Sequence, residues 1–375
     1  MPEKKKLSKN VIAMVIILAL SAAANITAAL STAAADFYMR HIFAPLSDII
    51  SAVTGILPFS LGEILIAMGI LLLIAAPFVV IIGAVKKKKR LLKSFGIFFG
   101  WVLIYIIVTE TFNCFVLYRT TEFSPKYHNS AGFAGFTPEQ LSVLCEETIL
   151  YANALSEEIS RDENGDMLLP DNLDYIAERA MNVLAEEYSE LSGICPTPKK
   201  INGAVMTSFD LQGIYFPFTL EANYNKALSP ARVPCTVMHE LSHLKGFIRE
   251  DEAGFIAYRA CLEAEEPEVR YSGYLSAMNY LLSACRTALS NDEYLRLCSL
   301  VSPLVISDNT FVSDEYMEYI QKSVIATEKT QAVSAKAIDV TLKIGGVSDG
   351  RRSYGRMTDL LLEYRYYVKE NVTSP

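Results

Sequence analysis

His239-Glu240-Leu241-Ser242-His243 sets two imidazoles four residues apart, which puts both on one face if the stretch is helical. That spacing lets both rings reach one zinc ion, and the glutamate beside the first ring can act as a general base. The chain has four histidines, and two of them stand here. Pro234 suits a first helical position, Val237, Leu241 and Leu244 form an apolar stripe, and Gly246 offers a stop. A catalytic zinc takes three protein ligands and keeps a fourth position open. The third must come from a neighbour in space. Directly after Gly246 the chain reads Arg249-Glu250-Asp251-Glu252-Ala253, the start of a second helix expected over 248–262. If that helix doubles back on the first, its opening carboxylates land beside the histidines. Glu250 has Ala253 and Ala257 on its own face, small enough for close helix approach, and Glu252 is the alternative ligand.

The pattern E-x-x-A-x-x-x-A after H-E-x-x-H resembles gluzincin-type zinc proteases, and the resemblance implies Glu250 as the third ligand. Those proteases often carry Asp or Asn four residues after that glutamate, where this chain has Gly254. The glycine three residues after His243 also fits the start of the metzincin pattern, but Arg249 stands where its last histidine would be, so that reading is rejected. Stabilising an oxyanion calls for a tyrosine, histidine or arginine, and Tyr224, Arg249, Tyr258 and Arg259 are the candidates.

Several elements must position this motif. A β element is expected just before it, with strands at Ala204–Met206, Gly213–Phe216 and Thr219–Tyr224 around a turn at 210–212. Thr137-Pro138-Glu139-Gln140 reads as a capping box opening a helix of about twenty residues, and Asp171 as the cap of a second helix ending near Gly193. A long helix over 271–289 is nearly free of charge, and its Tyr271, Tyr274 and Tyr280 read as packing. Further helices are expected near 314–326 and through Leu360–Tyr364. The acidic turn Asp162–Asp166 lacks the ligand spacing of a calcium loop.

The first 119 residues are of another kind. The composition is 51% hydrophobic and only 20% charged, and the apolar excess lies before residue 120. Three membrane spans are expected at about 11–30, 64–85 and 95–118. Lys4–Lys6 and Lys86–Arg90 with Lys93 both fall on one side, the cytoplasmic one, which sends residues 120–375 outside the cell. Ala33-Ala34-Ala35 offers a cleavage site, and cutting there would leave the rest on the same side. Residues 31–60 are expected on the membrane surface. Glu63 and Glu110 read as boundary residues at the span ends, so the spans serve as an anchor. A net charge of −8 gives nucleic-acid binding no support, and seven dispersed cysteines argue against a disulfide framework and a cysteine metal site.

Taken together, Leu57–Glu63, Gly213–Asn223, His239–His243 with Gly246-Phe247, Glu250–Ala253 and Ser353–Arg356 resemble a bacterial multi-pass membrane family of uncharacterised function with zinc-protease character. The expected architecture is a membrane-anchored chain with three N-terminal spans (1–119). A mostly α, zincin-like α+β domain (120–375) follows, with a small sheet before its active-site helix. The expected function is hydrolysis of a peptide or protein substrate, with Zn2+ held by His239, His243 and Glu250 and with Glu240 as base. A catalytically inert ectodomain acting as a sensor or binding module is the alternative.

Overall fold

The computed structural model describes residues 8–128, 135–313 and 356–368. The chain opens with α1 (Lys9–Leu30), which bends at Ser31 into α2 (Thr32–Tyr38). A π turn (Met39–Phe43) leads on to α3 (Ala44–Gly55), then to α4 (Leu61–Val85) and α5 (Lys89–Glu110). Further turns carry α5 on to Arg119. By length and composition α1, α4 and extended α5 can each cross a bilayer, which makes this a membrane protein. α1 and α4 both pack on α5. α4 begins earlier than the hydropathy alone suggests, because the Ser60 hydroxyl caps it by accepting the Glu63 N–H at 3.2 Å. α5 also starts early: Lys89, Arg90 and Lys93 are good helix formers whose stems can lie along the span while their charges stay in water.

The second part is mostly helical around a small sheet. Its elements are α6 (Pro138–Glu158), α7 (Leu173–Glu187), β1 (Lys199–Ile201), α8 (Gly203–Ser208), β2 (Gly213–Phe216) and β3 (Glu221–Asn225). They continue as α9 (Val233–Leu244), α10 (Glu250–Leu262), α11 (Pro267–Ala288), α12 (Asn291–Leu300), α13 (Pro303–Asp308) and α14 (Met357–Glu363). The sheet order is β1-β3-β2, with β1 parallel and β2 antiparallel to β3. β3 is buried along its whole length, and β2 is an edge strand lying over α9. The Thr137 capping box is present as read: Thr137 Oγ1 accepts from Gln140 N–H at 3.2 Å, and the Gln140 side chain accepts from Thr137 N–H at 3.0 Å.

Two local readings are corrected. Residues 204–206 are helical, within α8, because the Asn202 side chain accepts the N–H groups of Ala204 and Val205 and so starts a helical turn. The strand that fills this place in the sheet is β1, too short and too lysine-rich to show a periodic pattern. α7 starts after Asn172, with no side-chain cap, so Asp171 does not cap it. The helix expected near 314–326 and the Ser353–Gly355 part of the late motif lie outside the described residues.

Residues 31–60 take a larger part than a surface segment. Met39 and Phe43 are buried in the same cluster as Phe123, Tyr188, Phe247 and Phe255 of the second part. The Ser47 hydroxyl donates to the Leu244 carbonyl at 2.8 Å, and Asp48 accepts from Ile194 N–H at 2.9 Å. Lys199 donates its ammonium to the carbonyls of Gly55 and Leu57. One face of α2–α3 is therefore part of the domain core. Each large side chain buried there contributes about 1.5–3 kcal/mol, enough to hold the segment in place.

Candidate metal centre

α9 carries the motif and is held at both ends. It has no side-chain cap of its own, and Ser272 of α11 accepts the Cys235 N–H at 3.0 Å instead. At the other end the chain reverses at Gly246, whose φ is +95°. Gly246 N–H donates to His243 O at 3.0 Å and Phe247 N–H to Ser242 O at 3.3 Å, the two bonds of a Schellman stop. A Cβ on Gly246 would also come within 3.1 Å of Met39. The reversal lays α10 against α9 and brings Glu250, its first residue, over the two histidines.

The resulting constellation is tight. One ligand atom each from His239, His243 and Glu250 lies within 4.8 Å of the others. His239 Nε2 is 3.0 Å and His243 Nε2 3.8 Å from Glu250 Oε2. Ligands of a tetrahedral zinc stand about 3.3 Å apart, so these separations bracket what the ion needs. His243 Nδ1 is 2.7 Å from the Phe247 carbonyl. A carbonyl can only accept, so Nδ1 carries the proton and Nε2 is left with its lone pair toward the cluster. Two imidazoles and a carboxylate form a donor set that zinc favours.

The charges of the cluster act strongly on one another. Burial opposes the charged form of His239, but the hydrogen bond and charge of Glu250, with Glu240 adding, raise its pKa to about 9. For His243 burial prevails over Glu250 and depresses the pKa to about 4, so it stays neutral and ready to ligate. Glu240 lies beside the cluster, 4% exposed, with its Oε2 lacking a hydrogen-bond partner. Burial raises its pKa to about 8, against the pull of His239. The backbone N–H of Tyr215 in β2 faces the carboxylate and favours its charged form. β2 can come this close because residue 213 is glycine: a Cβ there would sit 2.3 Å from Glu240 Oε1.

The site opens into a cavity of about 640 Å³ walled by β2, α9, α10, α11 and the end of the third span. Of the two third-ligand candidates, Glu250 joins the histidines. Glu252 turns away: it accepts from Phe123 N–H at 2.8 Å and from Arg249 Nη1 at 3.3 Å. None of the four oxyanion candidates lines the cavity. Arg249 donates to Tyr118 O and Thr120 O, and Arg259 is paired with Glu187 at 2.9 Å. Tyr224 and Tyr258 are buried in packing. Tyr280, read from the sequence as packing, does line the cavity, and after burial the charge of Glu250 is the chief cause of its raised pKa. Its hydroxyl is 4.0 Å from where a Cβ on Gly254 would stand. Gly254, the position that departs from the gluzincin pattern, faces Met357 Sδ at 3.0 Å by the same measure, so a larger side chain there would have to displace that methionine.

Residues 38–362 match the model of one protein family, a protein of unknown function (DUF3810), and the chain belongs to that family. No curated protein and no solved structure matches the chain.

Proposed function

For this member of the DUF3810 family we propose a membrane-anchored zinc metallopeptidase whose catalytic domain faces the cell exterior. The reading is carried by one observation: His239, His243 and Glu250 bring three ligand atoms within 4.8 Å. The unpartnered Glu240 carboxylate oxygen lies in the same cavity. A zinc ion bound there would polarise a peptide carbonyl and make a water acidic enough to attack it. The chain's own residues do the rest. His243 is locked in one tautomer by Phe247, and Glu250 bridges both rings, so the donor set is preorganised. Glu240 takes the proton of the attacking water and returns it to the leaving amine. Tyr280 donates to the developing oxyanion from the α11 side. The outer edge of β2 faces Glu240 and suits an extended peptide paired by its backbone. The lysine-rich turn 86–90, at the opposite ends of α4 and α5 from this domain, supports that side of the membrane.

The test uses the full chain in lipid nanodiscs, with zinc content by mass spectrometry and cleavage of a randomised peptide mixture. Wild type should hold one zinc per chain and cleave, and E240Q should keep the zinc while losing about 10²–10⁴-fold in rate. Zinc without cleavage would instead support an inert binding domain. A chain that takes up no zinc would overturn both.

A further inference from the structure

The position of the cavity relative to the bilayer says what kind of polypeptide reaches it. Along α2–α3, Ile42, Leu46, Ile49, Val53 and Ile56 recur every three or four residues and are exposed, Ile49 at 65% and Ile56 at 81%. The opposite face, with Met39, Phe43, Ser47 and Ser51, is buried against the domain. This helix is joined directly to the first span at Ser31 and leads into the second at Ser60. An apolar stripe strung between two spans lies in the membrane interface, with the bilayer covering it.

The metal site rests on the other face of the same helix. Ser47 holds the Leu244 carbonyl, next to His243, at 2.8 Å, and Asp48 stands 3.6 Å from the Lys245 ammonium. This helix therefore stands between the end of α9 that carries His243 and the apolar boundary. The third span agrees independently. Cys114 and Tyr118 from its end form part of the cavity wall. Tyr215 donates to the Asn113 carbonyl at 3.2 Å while its ring lies 5.9 Å from the His243 ring.

We propose that the substrates are polypeptides held in the same bilayer and cut in the stretch just outside it. The proposal rests on the peptidase reading and names its substrate class. Because the end of a span forms part of the cavity wall, a chain leaving its own span needs only a short extended stretch, at about 3.3 Å per residue, to enter it. A shared membrane also holds such a segment near the cleft at an effective concentration of order millimolar. The edge of β2, turned toward Glu240, offers backbone pairing to a polypeptide, which a lipid headgroup could not use.

Three formats of one randomised twenty-residue segment test this with the full-length protein in zinc-loaded nanodiscs. In the first the segment directly follows a single span, in the second a small folded domain separates it from the span, and in the third it is a free peptide. Cleavage of the first should exceed the others by about tenfold or more, with cuts mapped by mass spectrometry to the first ten or so residues after the span. Equal rates, or cuts spread evenly, overturn the proposal and leave the peptidase reading standing. Release of lipid headgroups with no peptide cut assigns the site to lipids and overturns it as well. Cleavage by neither wild type nor E240Q in any format sinks the peptidase reading, and the proposal with it.

Discussion

The backbone of Gly213 lies against the carboxylate of Glu240, and that approach is a property of one missing methyl group. G213A puts a Cβ 2.3 Å from Glu240 Oε1, so either strand or carboxylate must move. The expected result is a rate lower by about tenfold or more with zinc content unchanged, because an error of about 1 Å at a catalytic group costs that much or more. Y280F removes a hydroxyl from the cavity wall and should lower kcat about 10²-fold while KM stays within a few-fold, as for an oxyanion donor. A purely structural Tyr280 would show instead as a lower melting temperature with kcat intact. The two residues differ in how far the sequence revealed them. His239, Glu240 and His243 were legible because a helix fixes their mutual placement; the Gly246 turn pointed to the opening carboxylates of the next helix, and only the gluzincin resemblance favoured Glu250 over Glu252. Tyr280 sits in a stripe that reads as packing, and only the crossing of α10 and α11 at Gly254 decides which ring meets the cavity.

At the scale of elements, α2–α3 is fastened to the domain by a charged knot. Glu190 accepts from Arg40 at 2.9 Å, pairs with Lys126 at 3.0 Å and accepts the Tyr127 hydroxyl. Burial works against this carboxylate, but the hydrogen bonds from Tyr127 and Lys126 outweigh it and hold its pKa down at about 2. A carboxylate depressed on folding stabilises above its unfolded pKa and loses that contribution as pH falls through its folded one. E190Q should therefore cost about 1–2 kcal/mol at pH 7, seen as a lower melting temperature in detergent. The gap should close as pH drops from about 4.5 toward 2. Secondary structure was read well where caps and turns are local, as at Thr137 and Gly246, and misread where a side chain overrode propensity, as Asn202 does in α8. The inward face of α2–α3 could not be read at all. Its Met39 and Phe43 look like any interfacial apolar residues until their partners, far along the chain, are placed.

At the scale of the molecule, the spans and the domain are joined through the sheet as well as through the chain. Glu221 of β3, 2% exposed, accepts the N–H groups of Leu61 at 3.0 Å and Gly62 at 2.8 Å, the first residues of α4. A carboxylate at a helix N-terminus satisfies free donors and meets the helix dipole favourably. E221Q keeps the shape and loses the charge, and should cost about 1–3 kcal/mol, checked by thermal unfolding of the full chain in nanodiscs. An unchanged melting temperature would mean that a neutral amide oxygen serves those donors as well as the charged carboxylate. Span number and approximate limits were plain from hydropathy. Which span ends belong to the domain was not, since a glutamate 160 residues downstream carries no mark of its partner.

That bond also bears on how the protein is made. The second span leaves the ribosome long before Glu221 exists, so it must enter the membrane with its leading N–H groups facing water. Lys199, which later holds the Gly55 and Leu57 carbonyls, is absent at that stage too. Membrane insertion and domain folding thus form one assembly sequence, in which the domain-facing ends of the early-made helices are completed by residues synthesised later.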